Sequence, residues 1–249
     1  MDKIQLETNN YINLKIHDQK KPLVLVAPGG GYRFTSPREA EPIAEVFRNA
    51  GYNTGIIYYR ETKLLYPDTV KELAEFLSFI RKNHEIQTIY LVGFSAGGHY
   101  VASLGVEWEK FGSSSKPDAL ILAYPVITGE KDFSHEGSIE NLFGEINEEV
   151  RNVFSLEKWV SKKTPPTFLF HTTTDTAVPY QNSLFFFVAL QKARVKAELH
   201  LYQEGPHGLA LANRKTPFED LDPLLFEEKY GRLSGWIEMA LTWLAYIKK

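Results

Sequence analysis

The sequence predicts an α/β protein with a mostly parallel β-sheet flanked by helices. Short apolar runs of strand length alternate along the chain with longer segments of helical period, which is typical of βαβ units. Several runs, such as Leu23–Ala27, are continuously apolar, and strands buried in parallel sheets have that pattern. No repeat or flexible linker interrupts the alternation, so we predict one domain over residues 1–249.

The first half of the chain contains four predicted strands and three predicted helices. Tyr11–His17 alternates polar and apolar side chains, so we expect a half-exposed strand. Gly51 follows the first helix, where glycine commonly ends one, and Pro67 opens the second. The predicted strands are Tyr11–His17, Leu23–Ala27, Asn53–Tyr59 and Thr88–Phe94. The predicted helices are Glu39–Ala50, Tyr66–Asn83 and Ala96–Trp108.

The second half continues the alternation around one irregular stretch. Residues 126–166 are rich in charge, and we predict that they form an insertion over the top of the sheet. Short helices are expected within it at Glu148–Phe154 and Leu156–Val160. The remaining predicted strands are Ala119–Tyr124, Thr167–Phe170 and Ala197–Tyr202. The remaining predicted helices are Asn182–Ala193 and Gly235–Ile247.

The composition narrows the class of function. The chain has no cysteine, which excludes disulfides, thiolate metal sites and cysteine nucleophiles. Its formal net charge is -3 and its basic residues are dispersed, so we expect no nucleic-acid partner. The N-terminal residues have no apolar signal-peptide run, and no segment is apolar enough to cross a bilayer. We therefore expect a cytoplasmic protein without a membrane partner.

The segment Gly93-Phe94-Ser95-Ala96-Gly97-Gly98 matches the pattern G-x-S-x-G. This pattern is typical of a nucleophile elbow, in which a strained turn between a strand and a helix exposes a serine. The segment follows a predicted strand and opens a predicted helix, as that mechanism requires. The alternative is a glycine-rich turn that merely packs the helix against the sheet.

A second glycine-rich segment, Pro28-Gly29-Gly30-Gly31-Tyr32, follows the strand Leu23–Ala27. Acyl transfer develops negative charge on an oxygen, and backbone amides of a glycine loop can approach that oxyanion closely. The candidate oxyanion-hole donors are the amides of Gly30, Gly31 and Ala96. A phosphate-binding loop is a poorer interpretation, because neither G-x-x-x-x-G-K nor G-x-G-x-x-G is present.

A serine nucleophile requires a base, and one of the seven histidines lies where that base is expected. His207 stands in the turn Glu204-Gly205-Pro206-His207-Gly208, directly after the last predicted strand. The other six have plainer interpretations, in polar surroundings, within a strand or helix, or at a strand end. These are His17, His84, His99, His135, His171 and His200.

The acid that orients the base should lie between the serine and the histidine in chain order, as in the α/β-hydrolase fold. Asp175 meets this condition and follows the next-to-last strand. Asp118 precedes its strand and should lie at the opposite edge of the sheet. Asp132, in the insertion, is the remaining rival. We predict the triad Ser95, Asp175 and His207.

With these motifs the chain resembles the bacterial carboxylesterases of the α/β-hydrolase superfamily, and in particular small acetyl esterases and acetylxylan esterases. The resemblance runs from Leu23 to Leu211. One departure is Pro28, where many related esterases have histidine at the start of the oxyanion loop. Besides the elbow and the two segments around Gly30 and His207, the resemblance is carried by Tyr58-Tyr59-Arg60, Ala123-Tyr124-Pro125-Val126, Ser155-Leu156-Glu157-Lys158-Trp159-Val160 and Asp175-Thr176-Ala177-Val178-Pro179.

The resemblance implies a serine esterase that acts on a small-molecule ester without a metal or organic cofactor. It favours acetyl esters of sugars or xylo-oligosaccharides, and the charged insertion favours short acyl groups over lipids. A peptidase of the same fold and a non-catalytic ligand-binding member remain alternatives. Candidate pocket residues are Tyr32, Arg38, Tyr124 and Trp159.

Overall fold

A computed structural model of the protein describes residues 2–247, over which eight strands form one sheet. The strand order is β1-β2-β4-β3-β5-β6-β7-β8. β1 and β2 pair antiparallel with their neighbours, and every other pair is parallel, which confirms the predicted mostly parallel sheet. The strands are β1 Asp2–Gln5, β2 Tyr11–Lys15, β3 Leu23–Ala27, β4 Asn53–Tyr58, β5 Ile89–Phe94, β6 Ala119–Ala123, β7 Thr167–Thr172 and β8 Ala197–Tyr202.

Helices connect the parallel strands and cover both faces of the sheet. A short 3-10 turn, Pro37–Glu39, precedes α1, so the first predicted helix begins two residues later than expected. The helices are α1 Glu41–Asn49, α2 Asp68–His84, α3 Ala96–Glu107, α4 Glu136–Phe143, α5 Glu148–Phe154, α6 Gln181–Lys192, α7 Pro223–Tyr230 and α8 Trp236–Ile247. A 3-10 turn at Leu156–Lys158 occupies the place of the second short helix predicted in the insertion.

Three elements, β1, α4 and α7, were absent from the sequence prediction because each carries a weak apolar pattern. β1 buries only Ile4, and α7 buries only Phe226, although two exposed leucines lie beside it in the sequence. α4 has eight residues inside the charged insertion and buries only Ser138, Ile139 and Leu142. Elements this short show too little periodicity to be recognised.

Two hydrophobic clusters form the core, one on each face of the sheet. Successive residues of a strand point to opposite faces, and β5 shows the result. Leu91 packs into the cluster that contains α2 and α3, whereas Val92 packs into the cluster that contains α1 and α8. β3, β5, β6 and β7 are completely buried, so their carboxyl ends are held firmly at one edge of the sheet.

No helix within residues 2–247 is both long and apolar enough to cross a bilayer.

Candidate active site

Ser95 occupies the turn between β5 and α3 with a strained backbone, φ 52° and ψ −121°. A non-glycine residue rarely adopts this conformation, and the surrounding packing must impose it. Glycines make the turn sterically possible. A Cβ on Gly97 would lie 2.2 Å from the Ala27 carbonyl oxygen, and one on Gly93 would lie 2.4 Å from the Gly97 carbonyl oxygen. The turn places Ser95 at the carboxyl end of β5, directly before the first turn of α3.

The structure brings Ser95, His207 and Asp175 into one hydrogen-bonded chain. Nε2 of His207 lies 2.8 Å from Oγ of Ser95, and Nδ1 lies 2.7 Å from Oδ2 of Asp175. An ionised carboxylate only accepts hydrogen bonds, so Nδ1 donates and Nε2 is left to accept the serine proton. The three residues predicted from the sequence therefore have the geometry that a serine nucleophile and its base require.

Asp175 is held as an anion by its surroundings. Its Oδ1 accepts hydrogen bonds from the amides of Ala177 at 3.0 Å and Val178 at 2.9 Å. Burial of the carboxyl opposes ionisation, but His171, His207 and the amide of Val178 outweigh it and hold the pKa of Asp175 well below its usual value. The carboxylate is thus charged in the folded protein at ordinary pH.

The sequence indicates no catalytic role for His171, which ends a predicted strand. The structure places it beside the carboxylate of Asp175. It is fully buried at the end of β7, and its Nε2 lies 3.4 Å from Oδ2 of Asp175. The same Nε2 is 2.9 Å from the carbonyl oxygen of Val178, and Nδ1 pairs with the hydroxyl of Ser183. His171 therefore anchors the loop that carries the acid, a role that its spacing of four residues from Asp175 hints at.

The glycine loop after β3 lies beside Ser95, and Gly30 and Gly31 line the same cavity as that serine. Gly30 and Gly31 have φ values of 136° and 62°, and a Cβ on Gly30 would lie 2.1 Å from the carbonyl oxygen of Phe34. Within residues 2–247 the amides of Gly30, Gly31 and Ala96 donate to no protein group. They remain available for an oxyanion, as the prediction requires.

A buried carboxylate, Glu39, links the glycine loop to Tyr124. One oxygen accepts from the amide of Gly29 at 2.8 Å, and the other accepts from the hydroxyl of Tyr124 at 2.7 Å. Burial and then Glu39 raise the pKa of Tyr124 well above its usual value, so the hydroxyl keeps its proton. That hydroxyl accepts in turn from the amide of Ala210, and the Tyr124 ring lies edge-on to His207 at 5.0 Å.

Arg38 is hydrogen-bonded to the segment that follows His207. Its guanidinium donates to the carbonyl oxygens of Gly208, Thr216 and Pro217, at 2.9, 2.6 and 2.6 Å. The guanidinium also lies over the ring of Phe218. Arg38 does line the cavity, but three of its five N–H groups are hydrogen-bonded to the segment that follows His207.

Three of the four predicted pocket residues do not line the cavity that contains Ser95. These are Tyr124, Tyr32 and Trp159. Tyr32 is 1% exposed, because its ring packs against Tyr59 and its hydroxyl pairs with Nδ1 of His99 at 2.8 Å. Trp159 is 44% exposed on the outside of the insertion, where its indole donates to the carbonyl oxygen of Val153. Packing places these three side chains outside the cavity.

The cavity above Ser95 and His207 has a volume of about 400 Å³. The glycine loop forms one wall, with Phe34 at its edge, and the insertion supplies His135, Gly137 and Asn141. These insertion residues were not among the predicted site residues, since single residues in an irregular, charged stretch follow no periodic pattern. Asp132, the rival acid, is exposed and lines a different cavity within the insertion.

No group of three or more histidine and acidic side chains within residues 2–247 is arranged to hold a metal ion.

Comparison with known proteins gives a consistent picture. The sequence profile of the BD-FAE family matches residues 11–190. The chain is 34% identical over 223 residues to endo-1,4-beta-xylanase B of Butyrivibrio fibrisolvens, covering 82% of this chain and 35% of that protein. It is 26% identical over 228 residues to an acetylxylan esterase of Xylanibacter ruminicola, covering 86% of this chain and 45% of that protein. The chain thus spans less than half the length of either relative.

Solved structures extend the likeness over nearly the whole chain. An acetyl ester-xyloside bifunctional hydrolase from Caldicellulosiruptor lactoaceticus superimposes with a TM-score of 0.80 at 30% identity, covering 96% of this chain and 88% of that one. A carboxylesterase from Lactobacillus plantarum superimposes with a TM-score of 0.82 at 26% identity, covering 99% and 97%.

Proposed function

The chain belongs to the BD-FAE family of α/β hydrolases, and from this premise we propose that it is a serine hydrolase of carboxylic esters. The observation that carries the proposal is the continuous chain of hydrogen bonds from Asp175 through His207 to Ser95, beside amides that have no protein partner. A non-catalytic binding protein has no need of this arrangement.

Each residue takes a defined step in the proposed reaction. Oγ of Ser95 attacks the ester carbonyl carbon while Nε2 of His207 removes its proton, and the amides of Gly30, Gly31 and Ala96 donate to the resulting oxyanion. Nε2 then returns the proton to the alcohol oxygen as the ester bond breaks, leaving an acyl-serine. A water molecule repeats the sequence, which releases the acid and restores Ser95. Asp175 holds the ring orientation throughout.

The substrate class that fits best is a short acyl ester of a hydroxylated alcohol. The cavity is small, and the insertion wall that covers it consists of His135, Gly137 and Asn141 and has no apolar side chain. A long acyl chain would gain about 0.8 kcal/mol per methylene in an apolar slot, and such a slot is not found on this wall. The relatives named acetylxylan esterase and acetyl ester-xyloside hydrolase support acetyl esters of sugars.

A series of p-nitrophenyl esters from acetate to octanoate tests the proposal, with the Ser95→Ala protein as the blank. We expect acetate to butyrate to be cleaved best, and kcat/KM to fall at least about tenfold by octanoate. Acetylated xylo-oligosaccharides should release acetate. Octanoate cleaved as fast as acetate would contradict the short-acyl assignment. Faster cleavage of peptide p-nitroanilides than of esters would instead indicate a peptidase, and no labelling of Ser95 by a fluorophosphonate would indicate a binding protein.

A further inference from the structure

His135 lies at the N-cap of α4 and faces the cavity of Ser95. Its Nδ1 lies 3.1 Å from the backbone nitrogen of Ser138, and a backbone amide can only donate, so Nδ1 accepts. An imidazole nitrogen that accepts a hydrogen bond carries no hydrogen, so the ring is neutral. Burial and then His207 lower the pKa of His135, which favours the same form. A neutral imidazole whose Nδ1 accepts carries its hydrogen on Nε2.

That Nε2–H group is an unused donor. Within the part of the chain that the structure describes, it has no hydrogen-bond partner, and it is not among the fully buried unpaired polar atoms. The ring lies against the glycine loop, since its Cε1 would be 3.7 Å from a Cβ placed on Gly31. The donor is therefore accessible from the cavity and close to the proposed oxyanion site.

Asn141 lies four residues beyond Gly137 on the same face of α4 and lines the same cavity. Its side chain contacts the carbonyl oxygen of Gly31 at 2.9 Å. A carbonyl oxygen only accepts, so the contacting atom is the amide nitrogen. The carbonyl oxygen of Asn141 is then left to accept, and no group within residues 2–247 donates to it. One donor and one acceptor are thus held open on the insertion wall.

We propose that Nε2–H of His135 and Oδ1 of Asn141 bind a hydroxyl group of the alcohol part of the substrate, which makes that alcohol a polyhydroxylated ring such as a sugar. A hydroxyl both donates and accepts, so it complements this pair. Phe34, 51% exposed in the same cavity, offers a flat apolar surface to the C–H face of such a ring. The inference rests on the proposed esterase function and adds the residues that select the alcohol.

His135 and Asn141 should contact the alcohol part of the ester because they share a cavity with the base, His207. His207 protonates the departing alcohol oxygen, so groups near His207 face the alcohol part of the ester. His135 and His207 line the same cavity, so a group bound to His135 lies on the side of the site where the alcohol departs. An apolar alcohol would leave both polar atoms of the pair without a partner, and sites of this kind discriminate against analogues that lack the hydroxyl.

Two acetate esters with six-membered rings test the inference, a monoacetate of methyl xylopyranoside and cyclohexyl acetate. The measured quantity is the ratio of their kcat/KM values, and wild type should favour the sugar ester. His135→Asn can still cap α4 but lacks a donor at Nε2, and we expect the ratio to fall about three- to tenfold. His135→Gln retains an N–H near that position while losing the cap, so it should keep most of the ratio at a lower unfolding temperature. The matched control, His17→Asn, replaces an exposed histidine and should change neither the ratio nor the activity.

The possible results distinguish recognition of the alcohol hydroxyl from a general loss of activity. Phe34→Ala should lower kcat/KM for both ring esters and leave their ratio unchanged, since either ring can cover the aromatic face. An unchanged ratio in His135→Asn, or a wild-type preference for cyclohexyl acetate, would overturn the inference alone. A protein inactive on both esters and on p-nitrophenyl acetate would overturn the proposed function, and the inference with it.

Discussion

Replacing Asp175 with asparagine alters the atom that faces His207 and His171 and preserves the two amide contacts of the other side-chain oxygen. Oδ1 accepts from the amides of Ala177 and Val178, so the asparagine oxygen should remain there. The side-chain nitrogen then replaces Oδ2, 2.7 Å from Nδ1 of His207. Because an amide nitrogen only donates, Nδ1 must accept, and the ring hydrogen moves to Nε2. A protonated Nε2 cannot remove the proton of Ser95.

The expected loss in kcat follows from the catalytic groups that the Asp175→Asn variant retains. The nucleophile and the oxyanion amides are intact, and only the fraction of molecules with the correct tautomer can react. We expect kcat to fall about 10²–10⁴-fold, which corresponds to about 3–5 kcal/mol of activation free energy. The cost in folding stability should be smaller, because the variant keeps the two amide hydrogen bonds and the volume of the side chain.

The assay is kcat on p-nitrophenyl acetate, with urea unfolding of the same preparations to show that the variant is folded. Asp132→Asn is the matched control, since Asp132 is exposed in a separate cavity, and its kcat should stay within about twofold of wild type. A greater loss in Asp132→Asn than in Asp175→Asn would move the acid into the insertion. A loss below about tenfold in Asp175→Asn would show that the carboxylate does not orient the base.

Three further predictions concern the nucleophile, the buried network and pH. Ser95→Ala should lose at least about 10⁴-fold in kcat and all fluorophosphonate labelling, and retention of about a tenth of the activity would refute the assignment. Tyr124→Phe leaves a buried carboxylate oxygen and a buried amide unpaired, so urea unfolding should show that the free energy of unfolding falls by about 2–4 kcal/mol. The matched control is Tyr202→Phe, whose hydroxyl has no partner within residues 2–247. Its free energy of unfolding should fall by less than about 1 kcal/mol. Burial lowers the pKa of His99 from 6.5 to about 4. The unfolded chain therefore binds a proton in this range that the folded protein does not, so the free energy of unfolding should fall by about 3 kcal/mol as pH drops from about 7 to about 4. The same pH series on His99→Gln should lack this slope, and an equal slope would assign it to other groups.

The parallel sheet and the candidate triad were predictable because both follow from period and spacing. Continuous apolar runs mark β3, β5, β6 and β7, and the carboxyl ends of parallel strands meet at one edge of the sheet. Ser95 follows β5, Asp175 follows β7 and His207 follows β8, so the alternation alone indicates that they converge. The G-x-S-x-G pattern adds the local turn, whose strained φ and close backbone contacts only glycine neighbours permit.

Only the tertiary structure determines which polar residues surround the triad. Glu39 and Tyr124 join the glycine loop to the segment after His207, and His135 and Asn141 reach the cavity from an insertion without a periodic pattern. Tyr32 was expected at the site and is buried elsewhere. A hydrogen bond depends on distances set within tenths of an ångström by the packing of whole elements, whereas a sequence pattern carries only period and local preference. For this reason the strands and their ends were visible in the sequence, and the partners that meet across them were not.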